Sequence, residues 1–216
     1  MSSIIHLPAQ RGQRQQPFSG KMPPKRRPNA EVRTREHLTP EEVGKLLAAA
    51  RRTGRNGSRD EALILIAYRH GMRVSELVSL RWNQVELKAG LLHVTRRKNG
   101  TPSTHPLQGD ELRILRALKR DWPDTPYLFA SERAGAMTDS NIRKIVARLG
   151  VAAGIGFPIH THMLRHACGY ALVQAGHDTR RIQLWLGHKN IAHTVRYTAL
   201  SDAAFKDFWR NGEETS

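Results

Sequence analysis

Residues 160–176, HTHMLRHACGYALVQAG, combine a strongly predicted helix with a dense polar cluster at its start. The apolar spacing predicts a helix over residues 163–174, and Gly176 is typical of a residue that ends a helix. Cys168 and Gly169 are small enough to let this helix lie close to its neighbours. The segment would therefore be central to the fold, with an arginine and three histidines at its N-terminal end.

Helical patterns continue on both sides of this segment. Residues 39–42, TPEE, form a capping box that opens the folded part of the chain. A second box at residues 58–61, SRDE, predicts the start of a helix over residues 62–70 that Gly71 ends. Further helices are predicted at residues 111–119, 141–149, 179–186 (ended by Gly187), 194–197 and 202–209.

A β-hairpin interrupts the helices. Residues 91–95 are apolar enough for a strand, Asn99-Gly100 is a strong turn signal, and residues 103–107 would form the returning strand. The predicted fold class is therefore mainly α with a small antiparallel β-sheet, an α+β architecture.

The charge of the chain indicates a polyanionic partner. Thirty-five Lys and Arg residues against 19 Asp and Glu residues give a formal net charge of +16. A field of this sign attracts nucleic acid. The single cysteine excludes an intramolecular disulfide, and the sequence has neither the apolar region of a secretory signal nor an apolar run of the ~18 residues that span a membrane. We expect a cytoplasmic, nucleoid-associated protein.

The composition divides the chain into three parts. Residues 1–36 are basic and poor in apolar groups, so we expect a disordered arm in which Lys25, Arg26 and Arg27 contact a DNA backbone. Residues 37–210 would form the folded domain, and residues 211–216 a tail.

Four polar clusters are candidates for chemistry. They are residues 71–77 (GMRVSEL), the hairpin segment 96–100 (RRKNG), residues 160–166 (HTHMLRH) and residues 186–190 (LGHKN), with Tyr197 nine residues after His188. Each cluster alone is ordinary, because a helix-end arginine or a histidine beside apolar residues is usually a surface or packing group.

The order of these clusters is similar to that in the catalytic domain of the tyrosine recombinases, also called the phage integrase family. The resemblance covers residues 39–208, and the segments 98–107, 162–166 and 186–191 look closest to the fimbrial phase-variation invertases. It implies a site-specific recombinase that cleaves and rejoins DNA through a 3′-phosphotyrosine intermediate, in inversion, integration, excision or resolution. It implies no metal and no other cofactor, because the phosphotyrosine retains the energy of the phosphodiester.

The resemblance implies a role for each catalytic residue. Arg73 and Arg165 would hold the non-bridging oxygens of the scissile phosphate, a task suited to guanidinium groups. Tyr197 would attack the phosphorus, and Lys98 would protonate the departing 5′-oxygen. Arg96 and Arg97 are poor proton donors, because the pKa of arginine exceeds ~12.

Three further residues complete the implied site. His162 would accept or relay the proton of the tyrosine, and His188 would donate a hydrogen bond to the phosphate. Glu76 would orient His162 and Arg73 from behind. Arg96, Arg97 and Lys189 would contact DNA. We expect His166 to be structural, with its ring bonded to the backbone.

The resemblance also implies an assembly. The partner is double-stranded DNA with specific sites, bound by a homotetramer in which an apolar C-terminal helix, residues 202–209, docks into a neighbouring subunit. The separate N-terminal DNA-binding domain of most members is not expected here, so accessory DNA-bending proteins are possible helpers.

Three other classes of function stay open at the level of sequence. The first is a non-catalytic DNA-binding protein derived from a recombinase. The second is a zinc hydrolase built on His160, His162 and His166, although Arg165 among them would repel a metal cation. The third is a type IB topoisomerase, which shares the chemistry but would relax DNA without a specific site.

Overall fold

A computed structural model describes residues 35–96 and 100–198. Lys25, Arg26, Arg27, Arg97, Lys98 and the predicted helix 202–209 lie outside the described residues, so the predictions about them are not addressed by the structure. The helices are α1 (Pro40–Arg52), α2 (Gly57–Arg69), α3 (Val74–Ser79), α4 (Gly109–Asp121), α5 (Asp139–Ala152), α6 (Thr161–Gln174), α7 (Thr179–Leu186) and α8 (Ala192–Thr198), and the strands are β1 (Val85–Glu86), β2 (Leu91–Val94) and β3 (Ser103–Pro106).

Local capping signals determine several helix ends. The Thr39 side chain accepts a hydrogen bond from the Glu42 backbone N–H, and Glu42 Oε2 accepts one from the Thr39 N–H at 2.9 Å, which completes the predicted box. Helix α7 has the predicted bounds and ends at Gly187, whose φ of 62° lies in the left-handed region. Local sequence signals therefore predict where both of these helix ends lie.

The second predicted capping box is wrong. Helix α2 begins at Gly57, so Ser58 and Glu61 lie inside it. The acidic residues of this turn pair with distant partners instead, because Asp60 accepts from Arg148 at 2.8 Å and Glu61 from Arg51 at 2.5 Å. These long-range ion pairs outweigh the local capping option.

The sheet is a three-stranded antiparallel meander in the order β1-β2-β3. Strands β2 and β3 form the predicted hairpin, with Leu92 opposite His105 and Val94 opposite Ser103. Strand β1, with only two residues, was not predicted because it is too short to carry a periodic signal. The predicted class, mainly α with a small antiparallel sheet, is confirmed.

Helix α2 lies at the centre of the domain. Its segment from Ala62 to Ala67 is buried throughout, and α2 packs against α1, α4 and α6. The core thus fixes the C-terminal end of α2, from which the site described below extends. No helix in the described ranges is long and apolar enough to cross a membrane.

Gly169 determines how closely α8 approaches α6. A Cβ atom at this position would lie 2.8 Å from both Cε2 and Cζ of the Tyr197 ring. The Tyr197 ring therefore rests directly on the backbone of α6, as the small residues of this helix led us to expect.

We expect Gly169→Ala to destabilise the protein by about 1–3 kcal/mol, because the new methyl group overpacks a rigid ring. The matched control is Gly44→Ala. Gly44 lies on an exposed face of α1 with no atom near the added methyl, so this change should stabilise the helix by about 0.5–1 kcal/mol. Urea unfolding midpoints measure both. Equal effects of the two substitutions would contradict the close packing.

Candidate active site

Glu76 organises the basic residues of the site. Arg73 lies just before α3, and its backbone N–H donates to Glu76 Oε2 while its Nη1 donates to Oε1, both at 2.9 Å. Glu76 is buried, and burial opposes its ionisation, but Arg96 and Arg73 together lower the pKa of its carboxyl. The carboxylate is therefore ionised at neutral pH and holds Arg73 from one side.

Arg96 holds the same carboxylate from the other side. Its Nη1 donates to Glu76 Oε2 at 3.0 Å, and its Nη2 donates to the backbone carbonyls of His70 (3.1 Å) and Trp185. The side chain is 0% exposed. We predicted that Arg96 contacts DNA; the structure differs, because its guanidinium is buried behind the site and donates to three internal acceptors.

Arg165 reaches the site from the second turn of α6. It is almost fully buried and donates to the backbone carbonyls of Gly71 and, at 2.7 Å, of Leu186. Burial, followed by the positive charges of Arg73 and Arg96, lowers the pKa of its guanidinium to about 10. Arg165 thus joins Arg73 and Arg96 at the site but pairs with backbone carbonyls and not with Glu76, so the three guanidinium groups leave excess positive charge.

A cleft of about 680 Å³ opens beside these arginines. Arg73, His188 and Lys189 line it, and none of its described lining residues is acidic. Gly100 also lines it, two residues after Lys98. The cleft is suited to an anionic group because its charged lining residues, Arg73, Arg180 and Lys189, are all positive.

His188 is oriented by α8. Its Nδ1 lies 2.8 Å from Thr194 Oγ1, which leaves Nε2 for another partner. Burial and then the charges of Arg165 and Arg73 lower the pKa of His188 to about 3. The imidazole is therefore neutral at physiological pH.

Tyr197 lies in an aromatic cage next to these groups. Its ring packs against Gly169, meets Tyr170 edge to face at 5.2 Å and lies parallel to His188 at 6.3 Å. The residue is 1% exposed, and burial raises the pKa of its phenol, while the charge of Arg165 opposes that rise. The phenol is therefore protonated in this state.

His166 is the hydrogen-bond partner of Tyr197. Its Nδ1 lies 2.9 Å from the Tyr197 hydroxyl, whereas we expected a backbone bond for this ring. Burial, followed by the charge of His162, lowers the pKa of His166 to about 3. The spacing of His162 and His166, one helical turn apart, was the available signal, since it places both rings on one face of α6.

The ring of His166 lies between His162 and the Tyr197 phenol. It is exposed and meets the His166 ring edge to face at 4.5 Å. Partial burial and then the charge of Arg165 lower its pKa to about 4. Glu76 does not hydrogen-bond to it, because the hydrogen bonds of that carboxylate go to Arg73 and Arg96. The predicted orienting bond to His162 is thus not found.

The structure brings most of the predicted site together. One group surrounds the cleft and the aromatic cage, while Arg96 stands behind it in the interior. The predicted residues in that group are Arg73, Glu76, His162, Arg165, His188, Lys189 and Tyr197.

Comparison with known proteins agrees with the family resemblance seen in the sequence. The model of the phage integrase family matches residues 36–204. The type 1 fimbriae regulatory protein FimE of Escherichia coli K12 is 42% identical over 181 residues, which are 81% of this chain and 91% of FimE. The type 1 fimbriae regulatory protein FimB of the same strain is 38% identical over 185 residues, or 83% of this chain and 92% of FimB. The predicted likeness to the fimbrial members is confirmed.

A solved structure extends the comparison to the fold. The crystal structure of XerA recombinase aligns with a TM-score of 0.70 at 27% identity, covering 83% of this chain and 66% of the XerA chain, just under two thirds of it. The fold, the order of the site residues and the family match agree. The chain belongs to the phage integrase family, the tyrosine recombinases.

Proposed function

We propose that this tyrosine recombinase cuts and rejoins DNA at specific sites through a covalent bond between Tyr197 and a 3′-phosphate. The observation that carries the proposal is a cluster of three guanidinium groups beside a tyrosine hydroxyl, in which Arg73 and Arg96 pair with the Glu76 carboxylate and Arg165 pairs with no carboxylate of the described residues. Such a site stabilises a negative charge that is spread over several oxygen atoms. A phosphodiester gains charge of this kind in its transition state.

Arg73 and Arg165 are the proposed phosphate ligands. Backbone carbonyls take two of the five N–H groups of Arg165 and fix its direction, so the remaining donors are preorganised. Arg73 is 28% exposed and lines the cleft, where an incoming phosphate can reach it. His188 Nε2 supplies a further donor.

Bond making and bond breaking balance without a metal or ATP. The Tyr197 oxygen forms a bond to phosphorus as the bond to the 5′-oxygen breaks, and Lys98 supplies the proton that this oxygen needs. His162 accepts or relays the phenol proton, and it is uncharged above about pH 5 because its pKa is lowered. A 5′-hydroxyl of another strand then reverses the steps.

The buried position of Tyr197 is its proposed resting state. At 1% exposure the phenol cannot reach a phosphorus, so DNA binding has to draw it away from His166. Lys189 on the cleft wall, Arg97 and the arm residues Lys25, Arg26 and Arg27 are proposed backbone contacts that supply binding energy for this change.

Tyr197→Phe should abolish the covalent adduct on a nicked site-bearing DNA and leave DNA affinity unchanged, because only the attacking oxygen is removed. Denaturing gels after incubation measure the adduct, and mobility shifts measure affinity. The matched control is Tyr170→Phe, which alters a neighbouring ring of the same aromatic cage. An adduct in the Tyr197 variant would exclude this nucleophile. Wild-type binding with no adduct on any site would favour the alternative function, a non-catalytic DNA-binding protein derived from a recombinase.

Arg165→Lys should reduce the rate of adduct formation by about 100-fold or more, because an ammonium cannot hold both carbonyls and still present a planar pair of donors to phosphate. Arg148→Lys is the control, since Arg148 is a half-exposed arginine that pairs with Asp60 away from the cleft. Single-turnover cleavage measures both rates. Equal rates in the two variants would remove Arg165 from the proposed chemistry.

We propose that strand exchange takes place in a homotetramer joined by its C-terminal segments. A mainly apolar groove of about 420 Å³ lies beside β3 and is lined by Leu172, Ile182, Leu184 and Trp185. Leu184 is 63% exposed although it is apolar. The proposed occupant is the apolar segment 203–209 of a second copy, which follows α8 by only a few residues. Accessory DNA-bending proteins would assist assembly.

Leu184→Glu should prevent the tetramer on DNA, because a carboxylate in the groove opposes docking of an apolar segment, while single-site binding persists. Val151→Glu is the control, since Val151 is 83% exposed and lies on α5, outside the groove. Sedimentation of protein mixed with site DNA distinguishes the species. A tetramer that survives Leu184→Glu would refute this docking surface.

The proposal extends to the division of the chain and to its location in the cell. We propose that residues 1–36 act as a basic arm, residues 37–210 as the catalytic domain and residues 211–216 as a tail. We also propose that the protein acts in the cytoplasm on nucleoid DNA, since DNA is its substrate in this scheme.

A further inference from the structure

Both sides of the hairpin contact the same two residues, His70 and Trp185. From the end of β2, Arg96 donates to the backbone carbonyls of both. From β3, His105 contacts their side chains, with its Nδ1 3.0 Å from His70 Nδ1 and its ring stacked on Trp185 at 3.8 Å. The base of the hairpin is thus anchored twice in the interior, and Lys98 belongs to the segment between the two anchors.

The His105 anchor is one link in a buried chain of hydrogen bonds. Ser103 Oγ lies 2.8 Å from His105 Nε2, the two histidines meet through their Nδ1 atoms, and His70 Nε2 lies 2.9 Å from Glu111 Oε1. His70, His105 and Glu111 are each 1% exposed. The described reactions of the site use none of these groups.

The protons of this chain can be assigned from its acidic end. Burial opposes ionisation of Glu111, but the hydrogen bond from His70 lowers the pKa of its carboxyl, so it accepts the proton on His70 Nε2. His70 Nδ1 is then the acceptor of the ring, so His105 Nδ1–H donates to it and Ser103 Oγ–H donates to His105 Nε2. Every ring nitrogen is satisfied in this arrangement.

The anchors also connect the hairpin to the two other segments of the site. His70 precedes Arg73 by three residues, and Trp185 precedes His188 by three. Trp185 is itself fixed by its Nε1–H, which donates to the Arg69 carbonyl at 2.9 Å. A shift of His105 would therefore move the hairpin relative to both Arg73 and His188.

We infer that His105 is a positioning residue for Lys98: it holds β3 against His70 and Trp185 so that the hairpin delivers its cation to the departing oxygen. The inference rests on the proposed function, in which Lys98 is the proton donor. Ser103 and His70 act with His105 as links of the same chain. Loss of the chain would misplace the donor without touching the phosphate ligands.

A substrate with sulfur in place of the bridging 5′-oxygen isolates this role. When the Tyr197 oxygen bonds to phosphorus, the sulfur leaves with the electron pair of its bond as a thiolate. A thiol has a pKa of ~8.5 whereas a hydroxyl is close to water at ~15.7, so the thiolate leaves without a proton. A variant that is slow only because the proton donor is misplaced regains its rate on this substrate.

The decisive variant is His105→Phe, which keeps a ring against Trp185 but removes both hydrogen bonds. On ordinary DNA we expect single-turnover cleavage to slow by about 10- to 100-fold, because the donor is displaced. On the sulfur substrate the rate should return to that of the wild type. Ser103→Ala, which removes only the last link, should show a smaller loss with the same recovery and decides the question if His105→Phe does not fold.

The matched control is His93→Phe. His93 lies on β2 opposite Thr104, the neighbour of His105, but its ring is on the exposed face of the sheet. This variant should cleave both substrates at the wild-type rate. Equal losses in His93→Phe and His105→Phe would overturn the inference, because a general disturbance of the sheet would then explain both.

Lys98→Ala separates this inference from the proposed function. Recovery of Lys98→Ala on the sulfur substrate, together with recovery of His105→Phe, supports both. Recovery of Lys98→Ala alone overturns the positioning role of His105 and leaves the proposed function standing. If Lys98→Ala stays slow on the sulfur substrate, Lys98 is not the proton donor and the inference falls with that assignment.

Discussion

The carbonyl oxygens at the C-terminal ends of α2 and α7 are the constraint on which the site depends. The last carbonyls of a helix have no partner within it and carry partial negative charge. Here the carbonyls of His70, which caps α2, and of Trp185 in α7 accept from Arg96. Those of Gly71, which follows the cap, and of Leu186 accept from Arg165 of α6. Two helix ends therefore hold two buried guanidinium groups that would otherwise have little to offset their desolvation.

This arrangement explains why the site tolerates so much positive charge before DNA arrives. Glu76 neutralises part of it, and the helix ends stabilise more without adding a full negative charge. Replacing the carbonyls with further carboxylates would bind the arginines as firmly but would repel a phosphate. Partial charges thus keep the guanidinium groups in place and leave their attraction for an anion largely intact.

The sequence predicted the helices with local end signals, and most of the residues that it grouped as a site lie together in the structure. The capping box at Thr39 and the glycine end at Gly187 carry signals in neighbouring residues, and both are as predicted. Arg96 and His166 were assigned other roles, because their partners come from segments distant in the chain and no local pattern encodes them. The same long-range pairing of Asp60 made the second capping box fail. Motif order thus identifies residues, while tertiary packing decides which atoms meet.

In the proposed mechanism, the buried position of Tyr197 keeps the nucleophile unreactive until DNA binds. Burial raises the pKa of the phenol, and the neighbouring imidazole of His166 is a weak base because its own pKa is lowered. A phenolate is therefore disfavoured while the ring lies on Gly169, and the cations of the site cannot be satisfied by the nucleophile itself. A phosphate in the cleft changes both the pairing of the cations and the position of the phenol. It accepts hydrogen bonds from the arginines, and its reaction requires the phenol to leave the aromatic cage. Binding energy from the DNA backbone is then used to expose the nucleophile only where a phosphorus is present to receive it.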